Sequence, residues 1–174
     1  MTRKEEYISF VNALQPNFLN DPEFICTLES IGYFDVPAST RFHGTNRGDL
    51  FRHSKAVAET LLEYTERLDL PWKRESSPYI IGLLHDLCKT AIYMEQNGEW
   101  IKLENDTRHA ELSLDLLDIL NVQLTDEERL CIRWHMGAFD SKENWEKYTE
   151  AVKKNPNVLY THTADMFVSQ FLRL

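Results

Sequence analysis

The chain reads as an all-α domain with one small β-hairpin inserted near residues 91–103. Three observations carry that reading. Gly and Pro number only six each in 174 residues, too few for a sandwich or barrel built on many tight turns. Asp49–Leu70 runs without Gly or Pro, and Leu50, Val57, Leu61, Tyr64 and Leu68 recur at helical spacing along it. Helix-start signals also repeat, at Asp21-Pro22, at Ser77-Pro78 and at Thr125 with Glu128 three residues on.

In chain order, Tyr7, Phe10 or Val11, and Leu14 predict a short helix from Thr2 to Leu14, stopped near Pro16. A second follows Asp21-Pro22, with Asp as N-cap and Pro in the first helical position. Gly32 to Gly48, with Pro37 and Gly44, is too irregular for a long element. The helix from Asp49 ends at Pro71. His53 lies three residues after Leu50 and four before Val57, so it points into the core. Ser77-Pro78 then starts YIIGLLHDLCK, apolar almost all round and therefore buried.

AIYMEQ and EWIKL flank Asn97-Gly98, the strongest two-residue hairpin signal. Helices resume over His109–Asn121 and Thr125–Met136, the latter with the Thr125–Glu128 capping box and Gly137 as its stop. NWEKYTEAVKKN predicts another, and Asn157–Leu174 the last, after Pro156. No repeat, linker or low-complexity stretch divides the chain, so residues 1–174 are expected to form one domain, with 1–30 packing on a core of 40–172.

Composition narrows function. With 43% hydrophobic and 27% charged residues, the profile is that of an ordinary soluble globular protein. A net charge of −9 repels phosphate backbones and argues against broad nucleic-acid binding. A phosphate substrate remains compatible if bound divalent ions supply a local cationic centre. Cys26, Cys88 and Cys131 are odd in number and in no CxxC pairing, as expected of reduced thiols in a cytoplasmic protein. MTRKEEYISF lacks a signal-peptide core and no run approaches ~18 apolar residues, so no membrane partner is expected.

The chemistry concentrates in histidines and aspartates. All six histidines (His43, His53, His85, His109, His135, His162) come after residue 42. His53 faces a core, His85 and Asp86 sit deep in an apolar run, His135 ends a helix, and Asp165 shares a helical face with Val158 and Val168. Buried charges are costly unless paired or metal-bound. Imidazole with carboxylate suits Mn, Fe, Co, Ni or Zn, and one carboxylate can bridge two ions. Two ions about 3.5–4 Å apart clamp a phosphoryl centre and generate a hydroxide nucleophile near neutral pH.

His53 in GDLFRHSKAVAE, His85-Asp86 with Lys89 in HDLCK, and Asp165 in HTADMF together resemble the H…HD…D signature of the HD-domain metal-dependent phosphohydrolase superfamily. His109 in RHAELS and His135 in RWHMG resemble the two extra histidines of binuclear members. The resemblance covers roughly residues 40–172. It implies an HD-domain bundle of about seven helices. It also implies hydrolysis of a phosphomonoester or phosphodiester of a nucleotide-like substrate by a metal-activated hydroxide. One or two divalent ions (Fe, Mn, Ni, Co, Mg or Zn) are implied as cofactor. His53, His85, Asp86 and Asp165 would hold the first, with Asp86 bridging, and His109 with His135 the second. Lys89 would contact substrate phosphate and steady developing charge, acting in catalysis beside Asp86. Met136 stands where several binuclear subfamilies carry a further His, and no GYP-type extension is present. Both argue against a cyclic-dinucleotide substrate.

Blander readings stand beside these. A lone buried His is ordinarily a hydrogen-bonded core residue, and only the ordered set lifts these above that. With the second site empty, His109 and His135 would face substrate or transfer protons. His162, one turn before Asp165, either orients ligands or simply packs. His43 reads as an exposed loop residue. Arg47 and Arg52 are candidate phosphate contacts, Arg52 the stronger, although surface arginines usually have no such role. Cys88 reads as a small buried hydrophobe. Alternatives to hydrolysis are a di-iron oxygenase and a metal-binding signalling module without turnover. RNA 3′-end hydrolysis is disfavoured by the charge. Substrate, metal and oligomeric state (monomer or dimer) are left open, and specificity is expected from residues 34–48, 90–105 and 137–146.

Overall fold

The computed structural model describes residues 1–14, 17–40, 44–103, 109–138 and 142–174. Helix α1 (Arg3–Val11) opens under a capping box in which the Thr2 hydroxyl accepts the Glu5 N–H and the Glu5 carboxylate accepts the Thr2 N–H. It ends before the expected Leu14. Helix α2 (Pro22–Ser30) starts as predicted, with Asp21 accepting from the Glu23 N–H and Pro22 in the first position. Tyr7, Tyr33, Phe34 and Phe51 then meet edge to face, which fastens the N-terminal helices to α3 (Asp49–Leu68).

Helix α3 stops at Asp69, in the left-handed region at φ 52°, just short of Leu70. It crosses α4 (Ser77–Leu84) at close quarters, because Gly82 lies against the backbone of Ala58. Ser77 is the first helical residue and not the cap. Its hydroxyl donates to Glu128 Oε1 at 2.8 Å, so a buried acid from elsewhere has claimed the oxygen expected to cap the helix. Glu128 also accepts from Arg74 and from the Thr125 N–H, completing the capping box of α7 (Asp126–Arg133).

The expected continuous helix through Lys89 is broken. After Leu84 the chain passes through a turn, 85–88, and re-enters a short helix, α5 (Lys89–Ile92). Strands β1 (Tyr93–Gln96) and β2 (Glu99–Lys102) form the predicted antiparallel hairpin, with Asn97 and Gly98 at φ 53° and 83° in its tight turn. Helix α6 (His109–Ile119) packs on α7. The latter gives way to a turn at Trp134 before Gly137, at φ 70°. Helix α8 (Lys142–Lys154) and helix α9 (Asn157–Met166) follow. The last predicted helix does not stay α: Phe167–Leu172 widens into a π-helical turn.

The arrangement is thus all-α with a two-stranded insert. Its core is filled by side chains such as Leu61, Ile80, Ile81 and Leu83, which have no exposed surface. Among the described residues, no helix is long and apolar enough to cross a membrane.

Candidate metal centre

Five of the predicted ligands meet at the centre of the bundle. His53 comes from α3, His85 and Asp86 from the turn after α4, His135 from the turn after α7, and Asp165 from α9. All five are buried, none more than 8% exposed.

The histidines are oriented by their outer nitrogens. Nδ1 of His53 meets the Leu174 carbonyl at 3.1 Å, that of His85 the Gly82 carbonyl at 2.9 Å, and that of His135 the Ile132 carbonyl at 2.7 Å. A carbonyl only accepts, so each Nδ1 carries the hydrogen. In the neutral ring the lone pair is then on Nε2, and all three Nε2 atoms face the two carboxylates. His53 Nε2 lies 3.2 Å from Asp165 Oδ1 and 3.2 Å from His85 Nε2. Asp86 turns Oδ2 toward His85 (3.7 Å) and His53 (3.8 Å), and Oδ1 toward His135 (3.6 Å). Two ligands about 2.1 Å from a shared ion stand about 3–3.5 Å apart, close to these separations.

Two overlapping groups have ligand atoms within 4.8 Å of one another: His53, His85 and Asp86, and His85, His135 and Asp165. The residues fit a metal on two further observations. His135 Nε2 is buried without a hydrogen-bond partner, which is costly unless something else binds it. The facing nitrogens of His53 and His85 repel as lone pairs unless a proton or cation lies between them.

Electrostatics divide the imidazoles. Burial holds His85 down to about 4, against the pull of Asp86. Burial acts the same way on His53 and His135, but Asp165 and Asp86 respectively outweigh it and raise both. Burial would raise the two carboxylates. Lys89 and the imidazoles overcome it at Asp86, which lies well below its usual range, and the imidazoles hold Asp165 at about 2. Asp165 and Asp86 thus favour the protonated forms of His53 and His135, and a divalent ion would supply the positive charge in their place.

The other predicted residues are placed differently. His109, half-buried at the start of α6, lines the adjoining cavity but belongs to neither ligand group. Burial first, then Lys89 and Lys102, hold it below its ordinary range. Lys89 Nζ stands 4.0 Å from Asp86 Oδ2 and lies over the Tyr93 ring. Burial would lower it, but Asp86 keeps it raised and charged. Arg52 pairs with Asp49 at 3.2 Å, its side chain is 55% exposed, and it is not among the residues lining the cavity. Cys88 is buried, as expected. His43 lies outside the described residues.

The cavity measures about 770 Å³. His53, Asp86 and Asp165 reach its wall, whereas His85 and His135 do not. Two contributors were not anticipated from the sequence. Gly82 sets the α3–α4 approach, and a glycine inside a buried apolar helix was the available signal. Ser169, on the π-helical turn, donates to Asp165 Oδ1 at 3.3 Å. Trp100 and Lys102, in the 90–105 stretch from which specificity was expected, border the cavity from the hairpin. No protein-family model, curated protein or solved structure matches the chain.

Proposed function

We propose that the chain is a metal-dependent phosphohydrolase of the HD-domain type, cleaving a phosphomonoester or phosphodiester of a nucleotide-like substrate. One observation carries this reading. Three imidazoles, each tied through Nδ1 to a backbone carbonyl, aim Nε2 at two buried carboxylates that border a cavity. One or two divalent ions held there supply Lewis-acid activation of water and of the phosphoryl group. The residues that would hold them are His53, His85, Asp86, His135 and Asp165, with His109 facing the same cavity. Lys89 supplies a fixed cation beside Asp86, where charge develops on a phosphoryl oxygen. Its partial burial in the cavity wall keeps that charge poorly screened.

The test combines metal loading with turnover. The purified chain is stripped with chelator, loaded with Mn, Fe, Co, Ni, Mg or Zn, and followed by thermal denaturation and by phosphate release from a phosphodiester and nucleotide panel. At a hundred times the dissociation constant, a bound ion stabilises by about 2.7 kcal/mol. Asp86→Ala is expected to abolish both this gain and hydrolysis. A wild-type chain that stays metal-free after loading, or binds metal and hydrolyses nothing in the panel, overturns the reading.

A further inference from the structure

The cavity wall divides by chemistry. His53, Asp86 and Asp165 belong to the metal centre, while the hairpin contributes Tyr93, Trp100 and Lys102. The register sets Tyr93 opposite Lys102 and Glu95 opposite Trp100. By the two-residue alternation of strands, these four side chains share one face of the hairpin.

Trp100 is braced from outside the cavity. The Arg47 guanidinium lies over its ring, 5.6 Å from the centroid, and is itself held by Asp35 and Glu95. Arg47 does not line the cavity, whereas Trp100 does. A stacked cation on one side of an indole leaves the rest of the ring fixed and available, at little ordering cost on binding.

Charge points the same way. Among the described residues, the acidic side chains of the wall are Asp86 and Asp165, both in the metal centre. Lys89 and Lys102 line it as well. In a chain of net charge −9, a cavity with two lysines and no carboxylate outside the metal centre favours an anion.

We propose that the hairpin wall is a recognition subsite for the unreacting part of the substrate: a nucleobase stacked on Trp100, with a second, uncleaved phosphate at Lys102. This rests on the phosphohydrolase reading and narrows its substrate class to nucleotides carrying two separate phosphates. A free nucleoside bisphosphate and the end of an oligonucleotide share that chemistry.

The experiment separates the two ideas. Binding to the full chain is measured by equilibrium dialysis under chelator, so that no turnover intervenes. The ligands are adenosine 3′,5′-bisphosphate, adenosine 5′-monophosphate, ribose 5-phosphate and a short oligonucleotide. Trp100→Ala is expected to weaken every base-bearing ligand about tenfold or more and to leave ribose 5-phosphate unchanged. Trp100→Phe keeps an aromatic platform and is expected to stay within about threefold of wild type, which separates stacking from misfolding. Lys102→Gln is expected to weaken the bisphosphate more than the monophosphate. Tighter binding of the bisphosphate or of the oligonucleotide identifies the source. Equal affinity of wild type and Trp100→Ala for all ligands, or no nucleotide binding by wild type, overturns the subsite. Metal-dependent hydrolysis of a generic phosphoester in that case leaves the phosphohydrolase reading standing. Conversely, a Trp100-dependent nucleotide affinity without any turnover upholds the subsite alone.

Discussion

Gly82 lies so close to Ala58 that a methyl group on it would sit 2.3 Å from the Ala58 Cα and 2.4 Å from its nitrogen. This contact sets how near α4 comes to α3, and with it the 3.2 Å between the Nε2 atoms of His53 and His85. The obstacle is backbone, so no rotamer change relieves it. Gly82→Ala is expected to cost roughly 3 kcal/mol in urea denaturation, the upper end of overpacking penalties. It should also shrink the stabilisation gained on adding metal, since the two imidazoles are pushed apart. Adding Ala58→Gly removes only the Ala58 methyl and should recover little. A double variant restored to wild-type stability would show that the helices are not held apart by backbone.

Lys89 separates charge from ligation. Its Nζ is 4.0 Å from Asp86 Oδ2, within Coulomb range but with no role in holding an ion. Lys89→Met keeps much of the stem and removes the cation. Hydrolysis is expected to fall about 10²–10³-fold, the usual loss on deleting one preorganised electrostatic contact. Metal affinity should hold or rise, because a positive charge beside the site has gone. Parallel loss of metal and activity, read by titration and initial rates, would assign Lys89 to the integrity of the centre instead.

The spacing of Leu50, His53 and Val57 made an inward His53 legible, because a helix of known period leaves little choice of face. His85-Asp86 was legible as chemistry but not as geometry. Nothing between Leu84 and Lys89 breaks helices, and the turn there depends on tertiary contacts such as the Cys88 N–H donating to Ser113 Oγ at 3.1 Å. The hairpin was visible in Asn97-Gly98 and its stretch was expected to bear on specificity, yet which of its side chains face the cavity was not, since a hairpin's own sequence does not say what it packs on. Arg52 is the sequence neighbour of His53, but its direction on α3 brings it to Asp49 and solvent.

The divided imidazoles give the metal-free protein a stability maximum. Buried His85 titrates at about 4, against 6.5 for a free imidazole. Between these values the unfolded chain takes up a proton that the native chain refuses. Stability is therefore lost as pH falls from 6.5 to 4, by on the order of 3 kcal/mol. Asp165, at about 2 against 3.8, adds a contribution that is present above 3.8 and lost as pH falls through 2. His53 and His135 have the opposite sign. Raised by Asp165 and Asp86, they stabilise fully below 6.5, and that contribution disappears as pH climbs through their folded values. Urea denaturation under chelator should thus be most resistant near pH 6.5 and weaker at 4.5 and 8.5. Metal binding should tighten with pH, because protonation of His53 and His135, favoured by Asp165 and Asp86, competes with the ion. A flat profile between 4.5 and 6.5 would contradict a neutral His85.

His162 shows how α9 serves the centre twice. One turn before Asp165, its Nδ1–H donates to the His135 carbonyl at 2.7 Å. Its ring also fills the space beside Gly137, where a Cβ would come within 2.8 Å of Cε1. The turn that carries His135 is therefore held from outside by the same helix that supplies Asp165. Removing such an orienting partner typically costs 10–100-fold in metal affinity. His162→Ala is expected to weaken metal binding about tenfold. His162→Asn, whose amide N–H starts from nearly the same position, should restore most of it. His162→Leu separates hydrogen bonding from packing, because it keeps the volume and loses the donor. A leucine variant with wild-type metal affinity would assign His162 to packing alone, whereas affinity lost in Leu and Ala but kept in Asn identifies the hydrogen bond to His135 as what positions the ligand.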